Sequence, residues 1–131
     1  MTARQKHLGV AEYLGHMEEA AALASGYVQG MAKEEFILDK KTQQAVIYNI
    51  LIIGEAATQV LNEHPDFVEK HPDIPWREMR GIRNRMAHGY FELNLDIVWE
   101  TAIRSLNSLK SQIASAKSTL PLTSYERGCG N

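Results

Sequence analysis

Residues 45–53 read Ala-Val-Ile-Tyr-Asn-Ile-Leu-Ile-Ile, and apolar residues continue at Ala56, Ala57, Val60 and Leu61. No other feature of the chain constrains its fold as strongly. A helix over about 43–63, capped by Thr42, leaves almost no polar face, and such a helix is buried on several sides. The β-branched residues also suit a strand over 45–53. The helix is favoured because the apolar stripe persists at steps of three and four over a helical length. In a chain of 131 residues, one side of this helix packs in the core and another meets a second protomer. Tyr48 and Asn49 within it are expected to be buried polar contacts.

The remaining segments carry the same periodicity. Val10, Leu14, Met17, Ala21, Ala24 and Val28 form one stripe over about 4–29, with Gly26 and Gly30 flanking its end. Residues 31–40 form a short connection with a turn of helix at 34–38. Residues 64–75 hold three of the four prolines and two His-Pro-Asp triplets, and are expected to be a loop. Pro75 suits a first helical position for a helix over 76–87, with Trp76, Met79, Ile82 and Met86 inward and Gly89 at its end. Asn94 caps a last helix over about 95–115, with Asp96 against its dipole and Leu95, Val98, Ala102, Leu106 (or Ser105), Leu109 and Ile113 on one stripe. No segment shows convincing strand alternation. The expectation is an all-α domain over 1–117, a four-helix bundle with one or two short extra helices, followed by a loose tail over 118–131.

Charge then singles out one helix. The formal net charge is −2, which argues against a general nucleic-acid coat. Yet between Trp76 and His88 stand Arg77, Arg80, Arg83 and Arg85 against Glu78 alone. Arg83, Asn84, Arg85, His88 and Tyr90 fall within about two helical turns. Arginine offers a fork of donors suited to phosphate, and histidine can move a proton near neutrality. Asn84 and His88, four apart, share a face. The residues alone leave two readings open: a phosphodiester site, or a solvated arginine-rich helix ending in a histidine.

Arg83, four residues, His88, one residue and Tyr90 reproduce the spacing of the HEPN signature. Over about residues 8–115 the chain resembles the HepT-like group of that superfamily, toxins encoded beside small MNT-type nucleotidyltransferases. The likeness extends to Lys41-Thr42-Gln43, Ile53-Gly54-Glu55-Ala56, His71-Pro72-Asp73-Ile74-Pro75-Trp76 and Asp96-Ile97-Val98-Trp99. The resemblance implies an all-helical homodimer and a metal-independent endoribonuclease, a toxin of a type VII-like toxin–antitoxin module. Two copies of the signature form a shared cleft across the dimer. Arg83 and His88 are then the catalytic pair, and Asn84 orients His88 or the phosphate. Arg80 and Arg85 bind RNA phosphate. Tyr90 matches the tyrosine that the partner nucleotidyltransferase silences with AMP. The competing reading is a catalytically idle HEPN subunit that binds nucleotide or docks the nucleotidyltransferase. That the chain is itself the nucleotidyltransferase fails, for want of a Gly-Ser and paired-aspartate motif on a strand.

Other residues carry less. Glu55 sits among apolar neighbours, where an unpaired carboxylate is costly. It either pairs with Arg83 or Arg80, or faces solvent. His7, His16, His64 and His71 lack metal-ligand spacing, and no metal or cofactor is expected. Trp76 and Trp99 are read as packing residues. Cys129, the single cysteine, has no neighbours to make it a nucleophile and points to a reducing, cytoplasmic setting. No uninterrupted apolar run reaches the roughly 18 residues of a membrane span, and the first residues lack a signal-peptide layout, because Glu12, Glu18 and Glu19 arrive early.

Overall fold

A computed structural model describes residues 9–89 and 93–121, and these are predominantly helical, with no strand among them. The elements are α1 (Val10–Tyr27), α2 (Lys33–Ile37), α3 (Lys40–Glu63), α4 (Pro65–Lys70), α5 (Trp76–His88), α6 (Leu95–Glu100), a π-helical turn (Thr101–Ser105) and α7 (Leu106–Lys117). The expected first helix begins earlier, and its residues 4–8 lie outside the described residues. So do Tyr90, Cys129 and residues 122–131 of the expected tail.

α3 is the central element. It packs against α1 on one side and α5 on the other, and α7 closes on α1. Its inward residues include Val46, Ile50, Ile53, Ala57 and Val60, all buried. By length and apolarity it could cross a membrane, but over half of that stretch is buried within the protein. One stripe faces outward, along Gln44, Tyr48, Ile52 and Glu55, of which Ile52 is partly buried. Tyr48 is 63% exposed, which corrects the expectation that it is a buried polar contact. The apolar run hides the helical phase, and position 48 lies on the outer stripe with Gln44 and Glu55. Asn49 is buried as expected, its Nδ2 donating to the Ala45 carbonyl at 2.9 Å.

Three helix boundaries differ from the pattern. α3 is capped by Asp39, not Thr42. The carboxylate accepts from the Thr42 N–H at 3.0 Å and from its hydroxyl at 2.7 Å. The hydroxyl that could have capped therefore donates to a stronger, charged cap three residues earlier. The hydrogen bond from the Thr42 hydroxyl is the largest of several effects holding the Asp39 carboxyl below its ordinary range. The loop expected over 64–75 contains α4, because Pro65 stands at a first helical position and Phe67 and Val68 bury their side chains. Pro75 caps α5 rather than beginning it.

The ends that position α5 and α6 are tied by polar contacts. Trp76 Nε1 donates to the His71 carbonyl at 3.0 Å, fixing the start of α5. Asn94 caps α6 as expected, its Oδ1 accepting from Asp96 N at 2.8 Å and Ile97 N at 3.4 Å. Asp96 in turn pairs with Lys33 at 2.9 Å, joining α6 to α2 and raising the lysine above its ordinary value. Lys117 meets Glu18 at 2.9 Å between α7 and α1. Leu106, not Ser105, lies on the inward stripe of the last helix.

Candidate active site on the arginine helix

Gly54 decides where α5 lies. A Cβ there would stand 2.5 Å from the Arg83 Cβ, 2.8 Å from the Met79 carbonyl oxygen and 3.3 Å from the Arg83 Cα. The two helices thus cross with backbone almost touching backbone, which only glycine permits. In the sequence Gly54 stands out only within the Ile53-Gly54-Glu55-Ala56 segment, with no direct mark of this role. The available signal was a lone glycine inside a strongly apolar helix.

That crossing turns Arg83 toward α3. Its side chain is 26% exposed, and its Nε lies 3.3 Å from Glu55 Oε1. Glu55 therefore does pair with an arginine, and the arginine is Arg83. Its side chain is also 56% exposed, so it faces solvent as well. The guanidinium N–H is not directed at the carboxylate, and this buried Nε has no hydrogen-bond acceptor among the described residues. Glu55 also accepts from Gln59 Nε2 at 3.1 Å.

The rest of the cluster faces outward. Asn84, Arg85 and His88 are exposed and Arg80 is half-buried. Among the described residues, none of Arg77, Arg80 and Arg85 is ion-paired, and the His88 imidazole makes no hydrogen bond. Met79 and Met86 hold the inner face of α5, and Trp76 and Trp99 are buried as packing residues. On a helical wheel Asn84 and His88 differ by about 40°, while Arg83 and His88 differ by about 140°. The structure thus brings Asn84 and His88 to one face and sets Arg83 on another. Tyr90 lies outside the described residues.

Beside His88 opens a cleft of about 420 Å³ between α5 and α6, with Ile50 of α3 also in its wall. No group of three His, Cys, Asp or Glu side chains among the described residues could hold a metal ion. What the helix offers chemically is unpaired guanidinium groups, an accessible imidazole and one amide.

An all-helical protein that concentrates arginine and histidine on one helix is the class that fold and site define. The family model for ribonuclease HepT-like proteins matches residues 17–116. The chain belongs to the ribonuclease HepT-like family. A protein of Thermococcus cleftensis named "Probable ribonuclease HepT" is 40% identical over 101 residues, which cover 77% of this chain and 89% of that one. A protein of Caldanaerobacter subterraneus subsp. tengcongensis, with "Putative RNase" in its name, is 35% identical over 101 residues, 77% of this chain and 88% of its own. A Methanocaldococcus jannaschii protein, also named "Putative RNase", is 40% identical over 85 residues, 64% of this chain and 68% of its own. No solved structure is a significant match.

Proposed function

We propose that this chain is a metal-independent endoribonuclease whose site is completed by a second copy of itself. The observation that carries the reading is the unpaired set on α5, the exposed Arg85 and His88 and the half-buried Arg80, on the same helix as an arginine held by Glu55. Family membership and the names of the relatives support RNA as substrate.

The chemistry needs no metal. The ribose 2′-hydroxyl, which DNA lacks, attacks the adjacent phosphorus. His88 takes its proton, and a proton returns to the departing 5′ oxygen. The products are a 2′,3′-cyclic phosphate and a free 5′-hydroxyl. Arg83 stabilises the charge that gathers on the phosphorane, Asn84 orients His88 or the phosphate, and Arg80 and Arg85 hold flanking phosphates. Because Arg83 and His88 point apart on one helix, Arg83 of one protomer serves His88 of the other. The outward stripe of α3 with Tyr48 and Ile52 supplies the apolar surface for a homodimer of four-helix bundles.

The same reading makes the chain the toxin of a two-component cytoplasmic module. An MNT-type nucleotidyltransferase silences it by placing AMP on Tyr90. An anion there, two residues past His88, would occupy the phosphate site and repel RNA. Mass analysis after co-expression with a nucleotidyltransferase of this type should show added AMP on the Tyr90 peptide, and an unmodified peptide removes this part of the reading.

One experiment tests the core. Purified protein is incubated with total RNA beside Arg83→Ala, His88→Ala and a refolded equimolar mixture of the two. Wild type cuts with cyclic-phosphate ends, and each variant is inactive. The mixture regains roughly a quarter of wild-type activity, because about half the dimers are mixed and each carries one intact site of two. Cutting by His88→Ala at the wild-type rate overturns the assignment, and an inactive mixture overturns the shared site.

A further inference from the structure

The cleft between α5 and α6 has no role in the chemistry above, yet His88 and Arg85 both line it. Its walls are apolar: the buried residues Ile50, Met86 and Val98 line it. At about 420 Å³ it falls in the range of small-molecule pockets. An apolar cleft beside cations suits a flat, unstacked nucleobase, which single-stranded RNA presents to proteins.

The rim near His88 selects among bases. Asn94 has committed its Oδ1 to the Asp96 and Ile97 N–H groups at 2.8 and 3.4 Å. Only its Nδ2 remains, a donor with no partner among the described residues. Arg85 also lines the cleft, but its Nη1 lies one turn back, 3.7 Å from where a Gly81 Cβ would stand, and so adds positive charge rather than a donor at this end. The hydroxyl of Thr101 donates to the Ile97 carbonyl at 2.8 Å and so offers only lone pairs. It stands about 10 Å further along the helix axis and does not face the same base edge. A second hollow continues the cleft away from His88, but Glu78 lines it, and a carboxylate is a poor neighbour for an RNA strand. The donor end therefore sits at His88.

We propose that this end of the cleft seats one keto base of the RNA, guanine or uracil, next to the phosphate that His88 serves. The keto oxygen accepts from Asn94 Nδ2. Adenine and cytosine would bring an amino donor against the Asn94 donor, which is exposed in the free protein and would be left unpaired once a seated base covers it. The proposal rests on the ribonuclease reading for the position of the base, but not for its capture.

The test uses 2′-O-methyl strands, which lack the nucleophile and cannot be cut. Binding of the full chain to oligo(U), a guanine-containing strand, oligo(A) and oligo(C) is followed by fluorescence anisotropy. Keto strands should bind about tenfold more tightly. Asn94→Asp keeps a capping oxygen for Asp96 and Ile97 but replaces the donor by an acceptor. Its charge weakens all strands alike, so the readout is the ratio, which should fall below about threefold or invert. Ile97→Trp, at an exposed position on the rim, should lower oligo(U) binding to the oligo(A) level with helix content unchanged.

Equal binding of all strands by wild type overturns the proposal, as does a ratio that Asn94→Asp leaves intact. If a second copy covers the cleft instead, Ile97→Trp shifts the oligomeric state and leaves the base ratio alone, which also overturns it. Cleavage of ordinary RNA is scored separately. Cutting without base preference sinks this inference alone, and Asn94-dependent keto binding without cutting sinks the ribonuclease reading alone.

Discussion

Replacing Gly54 by alanine sets two effects of known sign against each other. An alanine in the interior of α3 gains about 0.8–1.0 kcal/mol of helix propensity over glycine. The added methyl, however, arrives 2.5 Å from the Arg83 Cβ and 2.8 Å from the Met79 carbonyl oxygen. Ordinary carbon–carbon contact lies at about 3.5–4.0 Å, so α5 must withdraw by roughly 1 Å or more. The obstructing atoms are backbone and Cβ, with no flexible tip that could swing aside. Forced expansion of a packed interface costs about 1–3 kcal/mol, occasionally more. The clash here is severe, so the upper part of that range applies, and the net is a loss of about 1–2 kcal/mol. Urea denaturation followed by helical circular dichroism reads this directly. Gly15→Ala supplies the control: it lies inside α1, where a Cβ meets nothing within 4 Å. That variant should gain about 0.5–1 kcal/mol. If Gly54→Ala matches Gly15→Ala in stability, the close crossing does not hold α5 in place. RNA cleavage should also fall in Gly54→Ala under conditions where it stays folded, because Arg83 moves with α5.

Three further expectations follow from named contacts. Asp39 is held below its ordinary value of 3.8, chiefly by the Thr42 hydroxyl. Its contribution to stability is therefore complete above that value and is lost as pH falls through the lowered one; the stability gap between wild type and Asp39→Ala should close in acid denaturation curves. Lys33 is raised above 10.5, chiefly by its hydrogen bond to Asp96. Its contribution is complete below that value and is lost as pH rises through the raised one, so Lys33→Met should flatten the alkaline limb of the stability profile. Glu55→Gln should cost no more than about 1 kcal/mol in urea, since the pair is half exposed, yet reduce RNA cleavage several-fold by freeing Arg83 from its orientation.

The long helices were legible because each carries an apolar stripe at steps of three and four, and Asn94 because its side chain has no competitor as a cap. Other features were not, for reasons of geometry. Asp39 and Thr42 are both good caps, and which one caps depends on the turn after α2. Tyr48 sits in a run so apolar that its phase is hidden until α1 and α5 take their sides of α3. The role of Gly54 is a property of two helices in contact, and the π-helical turn at Thr101–Ser105 leaves no mark in the hydrophobic pattern, since Ala102 and Leu106 remain four apart either way.

The candidate site divides along the same line. Its residue types stood out by density: four arginines, an asparagine and a histidine on thirteen residues. Five residues of separation place Arg83 and His88 about 7.5 Å apart along the axis, which suggests neighbours. The helical phase says otherwise, because five steps turn about 140°. Which of the two turns inward is decided by Gly54, whose missing side chain admits the stem of Arg83 against α3 and leaves His88 outside. The guanidinium paired with Glu55 at the helix crossing and the imidazole on the free face are presented to different sides of one α5. In the proposed dimer a second α5, related by a two-fold axis, would bring the two sides together, and the exposed stripe of α3 runs through Glu55, the residue that holds Arg83. Dimerisation through that stripe, as proposed, would therefore act on the site through Glu55, the residue that the surface and the arginine share.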